Sequence, residues 1–215
     1  TRTRRQRQMC IRDSINALAL LGWSTENEIF SMNELIKSFN LKNVQKGAAV
    51  FDLKRFNWVS SQHLAKLNDD AFIEAIHPFM EDEGIDDVAP NYKEILIAMR
   101  TSKTNLKEIA YATRPFFFEL EEYDEKGVNK FLKGSLETLT FALETLSKIS
   151  EWNETELDMA LINVRDYFNL PIPKVNQPMR IALVGSTISP SLGLTLELFG
   201  KEKSLERIKK AIDFI

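Results

Sequence analysis

Trp152-Asn153-Glu154-Thr155-Glu156-Leu157-Asp158-Met159-Ala160-Leu161-Ile162-Asn163-Val164 carries the punctuation of a helix start followed by a helical apolar stripe. Asn153 stands where a side-chain oxygen accepts a free backbone N–H. Glu156 sits three residues on as its partner, and Trp152 and Leu157 take the staple positions. Leu157, Ala160, Leu161 and Val164 then recur at the spacing of one helix face. The same device occurs at Ser31-Met32-Asn33-Glu34, with Phe30 and Leu35 as the staple, and predicts a helix from about Met32 to Phe39. Three further stripes read as core: Phe72, Ile73, Ile76 and Phe79; Tyr92, Ile95, Leu96 and Met99; Leu136, Leu139, Leu143 and Leu146. Arg180–Val184 is the one short candidate for extended structure. The fold class expected is all-α.

Composition limits what such a chain can be. With 215 residues, 44% of them hydrophobic and 27% charged, it reads as a soluble globular chain with room for one large or two small cores. It has no apolar run long enough to cross a bilayer and no secretory signal, so a cytoplasmic location without membrane contact is expected. Cys10 is the single cysteine, which excludes an intramolecular disulfide and a thiolate zinc site, and His63 and His77 leave little for a metal. No metal site and no catalytic residue are expected: there is no Gly-rich phosphate loop and no nucleophile-base order.

Charge is uneven. Arg2, Arg4, Arg5, Arg7 and Arg12 face one acid, Asp13, within residues 1–14, so the net charge of -3 becomes -7 without that segment. An arginine-rich arm can grip nucleic acid, but Gln6–Ser14 reads as translated adaptor sequence, and residues 1–14 are expected to be non-native. Two punctuated stretches suggest boundaries, Glu83–Pro90 and the proline-rich Leu170–Pro178, which breaks a helix by removing donors and fixing φ. The domains expected are 15–88, 89–170 and 171–215.

The segment Arg180-Ile-Ala-Leu-Val-Gly-Ser-Thr-Ile-Ser-Pro-Ser-Leu-Gly193 joins one arginine to a hydroxyl-rich loop in front of a helix. One reading is purely structural: Ser189 caps the helix, Pro190 opens it, and Leu192, Leu196 and Phe199 face the core. The functional reading adds that N–H groups at the helix start, with Ser186, Thr187 and Ser189, can bind phosphate oxygens or base edges. Arg180 is the natural partner, since single-stranded RNA is read through splayed bases that stack on guanidinium planes. Lys201, Lys203, Arg207, Lys209 and Lys210 form a late basic cluster on a helix whose inner face would be Leu205, Ile208 and Ile212. Arg100, Lys103 and Lys107 form a second basic group. Both read either as solvated faces or as phosphate-tracking surfaces, with Arg100, Lys107, Lys201 and Arg207 as the candidate phosphate contacts.

The order of these motifs resembles the C-terminal part of bacterial glutamyl-tRNA synthetases. In that family an Arg-x-Ala-Leu-x-Gly run leads through a Ser/Thr-Pro turn into Leu-Glu-Leu-x-Gly-Lys-Glu, here Leu196–Glu202 with its preceding residues, and a last helix. Ile15–Ser24, Glu28–Ser31, Glu34–Ile36 and Phe51–Trp58 resemble the family's stem-contact region, and Lys103–Glu108 and Phe116–Phe118 the start of its helical anticodon domain. The resemblance implies a helical stem-contact region followed by a two-part helical anticodon-binding domain. It implies tRNA(Glu) as partner, with tRNA(Gln) as the alternative, no DNA, and a monomer.

The family's anticodon contacts carry over to Arg180, Ser189, Pro190 and Leu192, with Thr187 in the same loop. A further arginine that senses the third anticodon base in some members falls at Ser102 or Lys103, where Asn105 interrupts the usual Lys-Thr-Leu. Ser60 and His63 stand where the family commonly has Asn and Tyr. The class I catalytic module and its ATP-handling loop have no counterpart in this sequence. ATP with magnesium is therefore expected for a full-length glutamate-tRNA ligase and no cofactor for this chain, which alone is expected to be inactive. The rival class is a stand-alone helical protein-interaction domain.

Overall fold

A computed structural model describes residues 13–23, 27–45, 47 and 50–215. The arginines at 2, 4, 5, 7 and 12, and Cys10, lie outside the described residues. The elements are helix α1 (13–22), α2 (Met32–Ser38), a 3-10 turn (Leu41–Asn43), α3 (Leu53–Ala65), α4 (Asp69–Asp82), α5 (Tyr92–Met99), α6 (Leu106–Phe117), α7 (Glu125–Gly127) running into a π-turn (Val128–Leu132), α8 (Leu136–Ser147), α9 (Glu154–Tyr167), α10 (Ile172–Val184), α11 (Leu192–Phe199) and α12 (Lys201–Phe214). Among the described residues no strand forms beyond one isolated bridge, Trp23 with Val44, as an all-α chain requires.

Local cap chemistry sets several of these bounds. At α2 the Ser31 hydroxyl accepts from Glu34 N (3.2 Å) while the Glu34 carboxylate accepts from Ser31 N (2.7 Å). Asn153 Oδ1 accepts from Glu156 N (3.0 Å) at the start of α9. Asn105 does the same for Glu108 N (2.9 Å), so the residue that departs from Lys-Thr-Leu serves as the N-cap of α6.

The chain forms two compact units. The first takes residues up to Val88 together with Lys103–Ala112, the second Ala89–Ser102 with Thr113–Ile215. In the first, Val59, Leu64, Phe72, Ile76 and Met80 are buried. Helix α1 is tied to α3 by two side-chain pairs: Ser60 Oγ donates to Asp13 Oδ2 (2.7 Å), and His63 Nε2 lies 2.9 Å from Asn16 Oδ1. Ser60 and His63 thus have internal partners. Asp13 is buried and, with Ser14, helical.

In the second unit α10 is central, with Val175, Pro178, Met179 and Ile181–Val184 all buried, and it packs on α8, α9, α11, α12 and the α7 segment. This corrects two expectations. Leu170–Pro178 does not break the chain before a separate terminal unit, and Arg180–Val184 is helical rather than extended. Pro171 precedes the helix and Pro173 lies in its first turn, where no N–H is needed. Pro178 forfeits one hydrogen bond of the kind, but its ring is buried in the core of the unit. Residues 171–215 therefore share one core with 113–170.

Candidate nucleic-acid interface

The candidate site is the turn from α10 to α11. Helix α10 ends because Gly185 adopts φ 72, a left-handed conformation that L side chains avoid, while its N–H still donates to Ile181 O (2.9 Å). Space also demands glycine: a Cβ there would lie 2.9 Å from Glu122 O. Gly185 O accepts from Asp124 N (2.8 Å), which fixes where the loop begins.

Arg180 lies one turn before this end and is half-buried. Its Nε donates to Ser189 Oγ (3.2 Å) and its Nη2 reaches Pro190 O (3.4 Å). The structure thus brings Arg180, Ser189 and Pro190 together across the loop. Burial pushes the Arg180 pKa down, with no carboxylate acting against it; an arginine nonetheless keeps its charge in water at physiological pH. Among the described residues its Nη1 has no hydrogen-bond partner. Thr195 Oγ1 lies 3.2 Å from Ser189 Oγ and donates to Ser191 O (2.8 Å), extending the network into α11.

Between Gly185 and Ser189 the loop carries Ser186, whose hydroxyl lies 3.3 Å from Ile188 O, then part-exposed Thr187 and Ile188, which is 44% exposed. Ile188 is a surface group that the reading of hydroxyls and charges passed over. Its only sequence signal is an isoleucine inside a Ser/Thr/Pro turn.

Helix α11 starts later than expected. Ser191, not Ser189, is the N-cap, its hydroxyl accepting from Leu194 N (3.4 Å). Ser189 is instead held by Arg180, and Pro190 precedes the helix rather than opening it. Ser191 Oγ donates to the Glu154 carboxylate, and Gly193 N donates to Asp158 Oδ1 (3.0 Å). Of the N–H groups expected to be free at this helix start, that of Gly193 is taken by α9 and that of Leu194 by Ser191. Leu192, expected as an anticodon contact, is only 2% exposed and packs as a core residue.

Two candidate phosphate contacts also turn inward. Arg207 is 2% exposed: Nη1 donates to Leu183 O, Nη2 to Phe118 O (2.6 Å), and its guanidinium lies over the Phe199 ring at 4.5 Å. Burial pushes its pKa down, opposed by Glu119, Tyr123 and Glu206. Lys201 Nζ donates to Ile149 O (2.6 Å). Backbone carbonyls thus hold Arg207 out of solvent and engage half-buried Lys201. Lys203 is similarly drawn in, donating to Phe116 O (3.1 Å) beside the stacked Phe116 and Phe199 rings, and Lys210 pairs with Glu119 and Glu206.

The second basic group is divided between the units. Arg100 and Ser102 belong to the second, with Arg100 capping α5 and the Ser102 hydroxyl buried without a hydrogen-bond partner among the described residues. Lys103 and Lys107 belong to the first, Lys107 being exposed. Among the described residues no group of three or more His, Cys, Asp or Glu side chains gathers to hold a metal, and no helix is long and apolar enough to cross a membrane.

Comparison with known proteins adds a family. A model of the anticodon binding domain matches residues 71–212, which include Arg180, the loop and α11. The glutamate–tRNA ligase of Legionella pneumophila (strain Philadelphia 1) is 33% identical over 204 residues, covering 94% of this chain and 43% of that protein. Glutamate–tRNA ligase 1 of Caldanaerobacter subterraneus subsp. tengcongensis is 32% identical over 210 residues with the same coverage. Among solved structures, a glutamate tRNA ligase from Elizabethkingia meningosepticum in complex with its amino acid superimposes with a TM-score of 0.76 at 27% identity, over 94% of this chain and 41% of that one. The chain spans less than half the length of the curated relatives it matches.

Proposed function

Since the chain belongs to the anticodon-binding domain family, we propose that it is the tRNA-recognising C-terminal part of a glutamate–tRNA ligase and that the α10–α11 turn reads an anticodon base. The observation that carries this reading is the half-buried Arg180, held by Ser189 and Pro190 with part of its fork unused, inside the region the family model matches. A guanidinium fixed in this way can stack on one base and donate to another. Thr187 and exposed Ile188, in the same loop, offer one polar and one apolar group.

The partner under this reading is tRNA(Glu), with tRNA(Gln) as the alternative. Lys103 and Lys107 are the candidate contacts of the first unit, and Arg100 and Ser102 those of the second. Glutamate activation with ATP and magnesium would fall to sequence that the relatives have and this chain does not span, and no step of that chemistry involves the residues described above. Binding of the 215-residue chain to a tRNA(Glu) transcript and to the same transcript with a changed anticodon tests the proposal. Tighter binding of the unchanged transcript is expected, and equal affinity for both would sink anticodon reading.

A further inference from the structure

The first N–H groups of a helix are a ready landing place for phosphate, and α11 opens immediately behind Ser189 and Pro190. In this chain an acid already holds one of them and a second acid sits beside it. Gly193 N donates to Asp158 Oδ1 (3.0 Å), Ser191 Oγ donates to the Glu154 carboxylate, and both acids come from α9. The clasp is reciprocal, because Glu154 N donates to Glu197 Oε2 (2.7 Å). It is also tight: a Cβ on Gly193 would lie 2.6 Å from Asp158 Oδ1 and 2.7 Å from Glu154 O. Two carboxylates therefore stand at this helix start, whereas Arg180 has no acidic partner among the described residues.

Resting on the RNA-recognition reading above, we propose that Asp158 is a specificity-determining positioning residue: its carboxylate fills the N-terminus of α11, keeps backbone phosphate off it, and leaves the loop to read a base through Arg180 and Ser189. The positioning runs from Asp158 through Gly193 to the helix start, and from Thr195 to Ser189, the residue that Arg180 grips. Phosphate contacts add affinity that carries no sequence information. Excluding one beside a base reader raises the share of binding that depends on the anticodon.

The test uses the 215-residue chain with Asp158→Asn and Asp158→Ala, and the same pair of transcripts, at two salt concentrations. Asparagine keeps an oxygen for Gly193 N and removes the charge. The changed-anticodon transcript should then bind about tenfold tighter than to wild type while the cognate one shifts less, since only non-specific backbone attraction has been released. Alanine also vacates the Gly193 N–H, and should tighten the changed-anticodon transcript at least as much as asparagine does. Unchanged affinities in Asp158→Asn, or an equal loss for both transcripts with a lower melting temperature, would overturn the proposal and leave Asp158 a structural clasp. If Asp158→Ala does not fold, Asp158→Asn alone decides. A wild-type chain that fails to distinguish the transcripts removes the base-reading premise and this role with it. A wild type that discriminates beside an Asp158→Asn that does so equally removes this role only.

Discussion

Replacing Arg207 by methionine keeps an apolar chain against the Phe199 ring but removes both N–H donors that hold Leu183 O and Phe118 O. Because Arg207 is 2% exposed, water does not take their place. Leu183 lies in the last turn of α10, where carbonyls have no intrahelical partner. Each hydrogen bond to a charged group contributes about 1.5–3 kcal/mol, and a cation over an aromatic face about 1 kcal/mol. Relief from burying the charge offsets part of this, by about 1–2 kcal/mol. The balance is a loss of about 2–6 kcal/mol, or a fall in melting temperature of roughly 4–24 °C. Urea unfolding followed by circular dichroism measures it. Arg207→Lys, whose single ammonium cannot span both carbonyls, should fall between wild type and methionine. A methionine variant within about 1 kcal/mol of wild type would refute the assignment of Arg207 as the tie between α12, the end of α10 and the chain after α6.

Gly185→Ala should destabilise the chain by about 2 kcal/mol, from left-handed backbone strain and the approach to Glu122 O; urea unfolding checks it, and no loss would mean that the turn relaxes freely. The Ser31 backbone N–H and hydroxyl hold the Glu34 carboxyl below its ordinary value of 4.5, so its contribution is full above that value and is lost as pH falls through the lower folded value. Glu34→Gln should therefore be less stable than wild type at neutral pH and converge on it in acid, and a pH-independent gap in melting temperature would contradict the capping box. The 215-residue chain alone should show no ATP-dependent glutamate activation, since catalysis needs reactants held in place and nothing in this sequence resembles an ATP-binding loop. Detectable pyrophosphate exchange from a pure sample would contradict this.

Features decided within a few residues were legible in the sequence. Ser31 and Asn153 announce α2 and α9 because a cap bonds to an N–H three residues on. The stripe Leu157, Ala160, Leu161 and Val164 is buried as its spacing requires. Features decided by distant partners were not legible. Two serines flank Pro190, and what selects Ser191 over Ser189 as the cap is a pair of carboxylates from α9, far away in the chain. The spacing of Leu205, Ile208 and Ile212 points one face of α12 inward, yet Ser204, Arg207, Ile208 and Ala211 are the buried set. Carbonyls from α10 and from the end of α6 offer a guanidinium more than water does, and no local pattern encodes that. The site itself was half legible: Arg180, Ser189 and Pro190 come together, while the roles of Asp158, Glu154 and Ile188 depend on packing.

Whether Arg180 reads a base is tested most directly by the affinities of wild type and Arg180→Lys for a tRNA(Glu) transcript and its changed-anticodon counterpart, at two salt concentrations. Lysine keeps the charge but loses the planar fork that reaches Ser189 and Pro190. Cognate binding should weaken by about 1–3 kcal/mol, the changed transcript should lose less, and the salt dependence should stay the same. An equal loss for both transcripts, or full substitution by lysine, would make Arg180 a phosphate anchor and contradict anticodon reading at this turn.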